Sequence, residues 1–231
     1  MKITFLGGGN MANALIGGMF KQGFAAADIT VIDPGSAARD KLERTYAVNC
    51  LETGEMLDNV GDLLVLAVKP QQMKEAVAPL VGKLGNAVVV SIAAGLDLAT
   101  LARFLGGHRK IVRCMPNTPA LIGAGITGLC PLPEVSAAER EAADCVLSAV
   151  GSTVWIDNEG RMDGVTALSG SGPAYVFLFI EALQQAAADL GFTPEQGRQL
   201  AIETVQGAAA LAAQSDEPAS VLRERVTSKG G

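Results

Sequence analysis

Histidine is almost missing from this sequence. Among the 231 residues the only one is His108, which follows two glycines in a predicted loop. Catalytic triads and many metal centres depend on histidine, so the sequence argues against both, and we expect no metal site. Any catalysis is therefore expected to proceed without a histidine base.

Cysteine is scarce as well and is not arranged as a ligand set. Cys50, Cys114, Cys130 and Cys145 are far apart, and no C-x-x-C pair occurs. Neither a zinc site nor a disulfide framework is indicated by this spacing. Isolated thiols are typical of a reducing compartment, so we expect a cytoplasmic protein.

A basic surplus and a long apolar run are also lacking. The formal net charge is −6, which argues against a nucleic-acid surface or a basic membrane patch. Residues 2–6 predict a strand rather than a signal peptide, and no apolar run reaches the roughly 18 residues of a membrane span. We therefore expect neither nucleic acid nor a membrane as a partner.

Glycine, by contrast, is abundant, with 27 residues, and its first cluster follows an apolar stretch. Residues 2–6 predict a strand, residues 7–9 are all glycine, residues 11–22 predict a helix, and residues 29–33 predict a second strand. Such a strand, turn and helix are typical of a dinucleotide site, where the turn approaches the pyrophosphate and the helix N-terminus binds it.

Three later predicted strands end in small or polar residues. They are residues 63–68 ending in Lys69-Pro70, residues 87–91 ending in Ile92-Ala93-Ala94-Gly95, and residues 111–115 ending in Pro116-Asn117-Thr118-Pro119. Each end alone could be an ordinary turn between a strand and a helix. Because the carboxyl ends of parallel strands meet at one edge of a sheet, the three together predict a binding rim beside the glycine turn.

The last third of the sequence predicts helices only. Apolar residues repeat with a spacing of four and three at Val176, Ile180, Leu183, Ala187 and Leu190. The next helix, to about residue 213, is apolar on several sides, so we expect burial against another subunit in a homodimer or larger homo-oligomer. The fold class is therefore α/β, with a Rossmann-type dinucleotide-binding domain over residues 1–160 and an all-α domain over residues 161–231.

Residues 167–175, ALSGSGPAY, stand at the junction of the two predicted halves. Their glycines let a ligand approach the backbone closely. Pro173 suits the first turn of a helix, whose open N-terminus could bind an anion such as a carboxylate. A plain turn between domains is the alternative interpretation.

The motifs FLGGGNMA, AVKP, SIAAG, RCMPNTP, ALSGSGPAY and VTSKGG occur in this order, and the whole chain resembles pyrroline-5-carboxylate reductase. The resemblance implies reduction of the cyclic imine 1-pyrroline-5-carboxylate to L-proline with NADPH or NADH, the last step of proline biosynthesis. Members usually continue past the glycine pair where this chain ends, with a threonine soon after it that is thought to help in catalysis. We therefore expect the helical domain to be incomplete at its C-terminus.

The resemblance also implies the site residues. The expected cofactor-binding residues are Leu6, Gly7, Gly8, Gly9, Asn10, Met11, Ala67, Val68, Lys69, Pro70, Ile92, Ala93, Ala94 and Asn117. The expected substrate-binding residues are Glu159, Thr166, Ser169, Pro173 and Val226, and the residues assigned to catalysis are Ser171, Gly172 and Ser228.

Cofactor choice depends on the end of the second predicted strand. Asp33 is a carboxylate at the position that normally binds the ribose hydroxyls of NAD. Ser36 and Arg39 follow, and they could bind the 2′-phosphate of NADP if the Asp33-Pro34 turn points the carboxylate outward. The family resemblance favours NADPH, so we expect NADP as the cofactor, with NAD as an alternative.

Two other functions stay open from the sequence. A β-hydroxyacid dehydrogenase would need a catalytic lysine in the second half, yet no lysine occurs between Lys110 and Lys229. A non-enzymatic NAD(P)-binding protein would need no organised substrate turn. Imine reduction asks little of side chains, because the hydride belongs to the cofactor and the substrate arrives largely as its electrophilic iminium.

Overall fold

The structure, a computed structural model, describes residues 1–228. The end of the VTSKGG motif, residues 229–231, lies outside the described residues. The strands are β1 Ile3–Leu6, β2 Ile29–Ile32, β3 Asn49–Leu51, β4 Leu63–Leu66, β5 Val88–Ser91, β6 Ile111–Met115, β7 Gly125–Pro131 and β8 Gly151–Trp155. The helices are α1 Asn10–Lys21, α2 Ser36–Tyr46, α3 Met73–Val77, α4 Leu98–Phe104, α5 Ala137–Leu147, α6 Met162–Val165, α7 Gly172–Asp189, α8 Pro194–Gln214 and α9 Ala219–Val226.

All eight strands form one sheet in the order β3-β2-β1-β4-β5-β6-β7-β8. Neighbouring strands are parallel except β6 and β7, which are antiparallel. The first six strands follow the doubly wound dinucleotide-binding order, in which the connections change direction between β1 and β4. The crevice outside the carboxyl ends of these two strands is where such sheets bind their ligands.

Both faces of the sheet are covered, which is typical of parallel strands made of continuous apolar residues. One face buries Phe5, Val65 and Val90 against Leu15 of α1 in a first core. The other face buries alternate residues such as Leu66 against α3 and α4 in a second core. The strands that carry the glycine turn and the rim are therefore held rigidly from both sides.

Residues 153–156 predict the closing strand, which the structure has as β8, whereas β3 and β7 were not predicted from the sequence. β3 is a short edge strand of three residues, and β7 contains two glycines and a proline, a composition that reads as loop. Gly128 of β7 is required by packing, because a Cβ there would lie 2.7 Å from Cγ1 of Val165. β7 and β8 extend the nucleotide-binding sheet beyond its usual six strands.

The chain divides into two compact units, Met1–Ser171 and Gly172–Gly231. The sequence boundary between residues 160 and 161 stays a prediction. In the second unit α8 begins with a capping box, since the N–H of Gln196 donates to Oγ1 of Thr193 and the N–H of Thr193 donates to Oε1 of Gln196. Gly191, with a φ of +85°, follows the end of α7 at Asp189.

The helices of the second unit leave much apolar surface uncovered in the single chain. Phe177, Leu178 and Phe179 of α7 are 63%, 66% and 57% exposed, and Leu200 and Leu211 of α8 are more than half exposed. By length and composition alone the helical stretch Glu159–Asp189 could cross a membrane, a test that core helices of soluble proteins also pass. Exposed apolar side chains grouped in this way mark a site of interaction with another protein or a membrane.

Candidate active site

A cleft of about 330 Å³ lies at the carboxyl ends of the parallel strands. We call it the rim cleft. Its lining includes nine of the predicted cofactor residues, namely Met11, Ala67, Val68, Lys69, Pro70, Ile92, Ala93, Ala94 and Asn117. Met115, Pro116, Thr118 and Gly170 complete it, so the AVKP, SIAAG and MPNTP motifs and part of the ALSGSGPAY motif meet there.

The glycine turn after β1 is shaped by close backbone contacts. Gly7 has a φ of +102°, and a Cβ there would lie 2.7 Å from the carbonyl oxygen of Ala67. A Cβ at Gly8 would lie 2.9 Å from Cδ1 of Leu42. A larger residue at Gly7 would displace backbone, whereas one at Gly8 would require the end of the Leu42 side chain to shift.

The helix that follows this turn is open to an anion. α1 begins at Asn10 after Gly9, with no side-chain cap and no acidic residue in its first turn. The N–H groups of a first helical turn have no partner within the helix. They and the positive end of the helix dipole fit the pyrophosphate of a dinucleotide.

Asp33 is turned toward the glycine turn rather than outward. Its Oδ2 accepts the N–H of Gly8 at 2.7 Å, and its Oδ1 accepts the N–H of Gly35 at 2.8 Å. Two backbone donors therefore hold the carboxylate inward, so the outward turn that was the condition for 2′-phosphate binding by Ser36 and Arg39 is not found. Arg39 binds the same residue through Nη1, which donates to the Asp33 carbonyl oxygen at 2.7 Å, and Ser36 is exposed at the start of α2.

The ALSGSGPAY segment matches its prediction only in part. A π-helical turn at Thr166–Gly170 follows α6 directly, and α7 begins at Gly172 after a bend at Ser171. The N–H of Ser171 donates to the carbonyl oxygen of Thr166 at 2.7 Å. α7 begins at Gly172 with Pro173 in its first turn, as the sequence predicted, but a π turn rather than a plain loop precedes it and engages the N–H of Ser171.

The polar side chains of this segment are also engaged. Oγ1 of Thr166 donates to the carbonyl oxygen of Met162 at 3.0 Å, and Oγ of Ser169 donates to that of Val165 at 2.9 Å. Gly170 reaches the rim cleft, where a Cβ would lie 2.5 Å from Cε of Met115. The π turn thus brings the backbone of Gly170 to the rim cleft, at a position where a side chain would collide with Met115. π turns of this kind are frequent at functional sites.

Glu159 is bound by protein donors. Its Oε1 accepts Nη1 of Arg113 at 2.9 Å and the N–H of Leu98 at 2.7 Å. Sequence reasoning did not single out Arg113, although it lies in the RCMPNTP motif. An arginine inside an apolar strand was the signal that could have identified it, because a buried charge needs a partner of opposite charge.

The remaining predicted site residues belong to the second unit. Val226 and Ser228 are exposed, and Gly172 and Pro173 are partly buried. Their roles stay predictions, as does that of Ser171, whose N–H is already bonded.

The histidine and the cysteines take no part in the rim cleft. Nε2 of His108 lies 2.9 Å from the carbonyl oxygen of Ala87, a structural contact. Burial raises the pKa of the Cys50 thiol to about 11 and raises that of Cys114 as well. These two thiols are therefore protonated at neutral pH and are poor nucleophiles.

Comparison with known proteins decides the family. A family model described as pyrroline-5-carboxylate reductase dimerisation matches residues 159–231, and one described as NADP oxidoreductase coenzyme F420-dependent matches residues 2–95. A pyrroline-5-carboxylate reductase of Pseudomonas aeruginosa is 45% identical over 100% of this chain and 85% of its own length. The chain belongs to the pyrroline-5-carboxylate reductase family.

Further relatives agree in sequence and in structure. The pyrroline-5-carboxylate reductase of Escherichia coli is 36% identical over 100% of this chain and 86% of its own length. The structure of the Coxiella burnetii reductase matches with a TM-score of 0.93 and 38% identity, covering 100% of this chain and 86% of that one. The Plasmodium falciparum reductase with NADP bound matches with a TM-score of 0.87 and 30% identity over the same shares.

These findings confirm several predictions from the sequence. The family, the fold class, the type of enzyme (an NAD(P)H-dependent oxidoreductase) and an NADP cofactor are confirmed. The predicted function is confirmed as that of the family, and neither alternative function finds support. The dimerisation description covers the helices whose apolar surface is exposed in the single chain, which indicates a homo-oligomer.

Proposed function

We propose that this chain reduces 1-pyrroline-5-carboxylate to L-proline in the rim cleft, with NADPH as the reductant and NADH as an alternative. The observation that carries the proposal is the continuity of the cleft. The glycine turn and the open N-terminus of α1 lead along small residues to Gly170. A dinucleotide laid along this path would end beside bare backbone, where a small ring can approach.

The phosphate end of the cofactor would be held by α1 and by Lys69. The N–H groups at Asn10 and Met11 belong to the open first turn, and they suit the pyrophosphate. Lys69 is exposed in the cleft lining and forms no ion pair within residues 1–228. It can therefore give its positive charge to a phosphate group or to the anionic substrate.

The nicotinamide end would lie against the small residues Ile92, Ala93 and Ala94. When bound, the cofactor supplies the hydride that reduces the C=N bond. The lining of the rim cleft contains no carboxylic acid and no histidine. The chain therefore contributes orientation and exclusion of water rather than a strong acid, which suits a substrate that is already an electrophilic iminium.

Donors for the substrate carboxylate would come from the MPNTP motif. Oδ1 of Asn117 accepts the N–H of Ile126 at 3.0 Å, which leaves the amide NH₂ of Asn117 as a donor on the cleft side of the motif. The hydroxyl of Thr118 lines the same cleft. Ser171, Gly172 and Ser228 remain the further candidates from the family resemblance.

A turnover assay tests the proposal. We expect oxidation of NADPH when 1-pyrroline-5-carboxylate is added, with one L-proline formed for each NADPH consumed. A short 3-hydroxy acid with NADP serves as the control substrate and should give no reduction. Oxidation of the hydroxy acid without imine reduction would support a dehydrogenase instead. If the protein binds NADPH but catalyses neither imine reduction nor hydroxy-acid oxidation, the result would support a non-enzymatic binding protein.

We further propose that the protein is a cytoplasmic homodimer held together by α7 and α8. Because Phe179 is 57% exposed in the single chain, Phe179→Asp should place a charge in the interface and shift sedimentation from dimer to monomer at micromolar concentration. Gln71→Asp adds the same charge at an exposed position of the first unit and should leave the dimer intact. A wild-type monomer, or equal behaviour of the two variants, would contradict the assignment.

A further inference from the structure

A buried cation lies behind the rim cleft. Arg113 of β6 is 9% exposed, yet it carries a full charge. Its Nη1 lies 2.9 Å from Oε1 of Glu159, and its Nη2 lies 3.7 Å from Oδ1 of Asp163. Asp163 is 95% exposed in its side chain and therefore well hydrated, so Glu159 is the partner that compensates the buried charge.

One oxygen of Glu159 joins three segments of the first unit. Arg113 reaches it from β6, and the N–H of Leu98 reaches it from the first turn of α4, at 2.7 Å. Glu159 itself lies just before α6 and the π turn. Two donors on a single carboxylate oxygen fix the direction of both partners, because charge-assisted hydrogen bonds are short and directional.

Each of the three segments also contributes to the rim cleft. The chain before Leu98 carries Ala93 and Ala94, and the chain after Arg113 carries Met115 to Thr118. The helical stretch after Glu159 carries Gly170, which rests against Met115. The distances across the cleft therefore depend on the two hydrogen bonds to Glu159, although neither Glu159 nor its donors line the cleft.

We propose that Arg113 and Glu159 form a positioning pair that sets the distance between the nicotinamide side and the imine side of the rim cleft. This inference rests on the proposed function. It assigns Glu159 a role different from substrate binding. The substrate is an anion, so a carboxylate facing it would repel it, and Oε1 of Glu159 already accepts two protein donors.

The pair is expected to act on the rate of hydride transfer more than on binding. A misplacement of about 1 Å far from the reacting atoms can cost roughly 100-fold in rate. The phosphate end of the cleft has its own supports in the glycine turn and α1, so loss of the pair should leave cofactor affinity nearly unchanged. The kinetic signature is a fall in kcat with similar KM values for the imine and for NADPH.

A double-mutant cycle with the full chain tests the inference. Arg113→Met and Glu159→Leu should each lower kcat by about 10- to 100-fold, and the double variant should be no worse than the poorer single one, because neither charge is then left unpaired. Glu159→Gln keeps an oxygen for Arg113 and Leu98 and should restore most of the kcat lost in Glu159→Leu. The control Asp163→Asn should behave as the wild type.

Three results would overturn the pair. One is additive losses in the cycle. Another is a raised KM for the imine in every Glu159 variant whatever residue stands at 113, which would make Glu159 a substrate ligand. The third is a lower melting temperature with unchanged kcat, which would make the contact merely structural.

Two further provisions keep the test informative. If Glu159→Leu does not fold, Arg113→Lys and Glu159→Gln carry the same test, with a kcat loss of at least about threefold expected for Arg113→Lys because lysine lacks the planar fork. An inactive wild type that binds NADPH would count against the proposed function. An active wild type with variants of unchanged kcat would count against the pair alone.

Discussion

Gly7→Ala should lower both the melting temperature of the protein and its affinity for NADPH, whereas Gly9→Ala should lower the affinity alone. The two glycines belong to the same turn, two residues apart, but differ in what a methyl group would meet. At Gly7 the φ of +102° is strained for an L-residue, and the new Cβ would lie 2.7 Å from the Ala67 carbonyl oxygen. Backbone must move, because neither atom belongs to a flexible side chain.

The expected cost at Gly7 follows from strain and crowding together. A non-glycine residue in such a conformation costs about 1–3 kcal/mol, and forced overlap adds a similar amount. We expect a free energy of unfolding lower by about 3 kcal/mol and a melting temperature lower by about 10 °C. Calorimetry without cofactor measures this part, and NADPH titration by fluorescence measures the rest.

Gly9 supplies the matched control. Its φ of −69° suits any residue, and a Cβ there would have nothing within 4 Å. The melting temperature of Gly9→Ala should therefore equal that of the wild type or exceed it slightly. The methyl group would stand beside the open first turn of α1, so NADPH affinity should fall at least about tenfold. Normal NADPH binding by Gly9→Ala would place the pyrophosphate elsewhere, and unchanged melting of Gly7→Ala would contradict the strain argument.

The contrast between these glycines marks what a sequence can predict and what it cannot. Short-range patterns identified the dinucleotide-binding unit, because glycines after an apolar strand and before a helix serve few other purposes. They did not distinguish a glycine that touches Ala67, 60 residues away, from one that faces open space. Contacts between distant strands decide that difference.

Features that depend on distant or non-local contacts were missed for the same reason. Pro173 correctly marked the first turn of α7, which begins at Gly172. The π turn before it, closed by the hydrogen bond from the N–H of Ser171 to the carbonyl oxygen of Thr166, has no signal in the local sequence. The pair of Arg113 and Glu159 spans 46 residues, and no local pattern could join them. The rim itself was predictable, because the carboxyl ends of parallel strands share one edge whatever the details of each turn.

Arg39→Ala should change which cofactor the enzyme uses. Arg39 is anchored by the bond from Nη1 to the Asp33 carbonyl oxygen, and its side chain is 19% exposed. Glu52 lies 3.8 Å from Nη2, too distant and too exposed to neutralise the guanidinium. An anchored arginine beside the end of β2 is well placed to bind a 2′-phosphate.

Asp33 acts in the opposite direction. Its two oxygens accept hydrogen bonds from the N–H groups of Gly8 and Gly35, which hold the carboxylate at the edge of the glycine turn. A negative charge there favours ribose hydroxyls and repels a phosphate. Because Asp33 also holds the turn, its replacement would disturb the fold of the site, and Arg39 is the cleaner position at which to test selectivity.

The expected result is a loss confined to NADPH. Removing hydrogen bonds to a charged group costs about 1.5–3 kcal/mol, so kcat/KM with NADPH should fall by about 10- to 100-fold, while kcat/KM with NADH changes little. Arg44→Ala, on the same helix and 80% exposed, is the matched control and should leave both values unchanged. Equal losses with the two cofactors would mean that Arg39 only anchors the Asp33 backbone. A wild-type preference for NADH that survives Arg39→Ala would mean that the Asp33 carboxylate decides the choice.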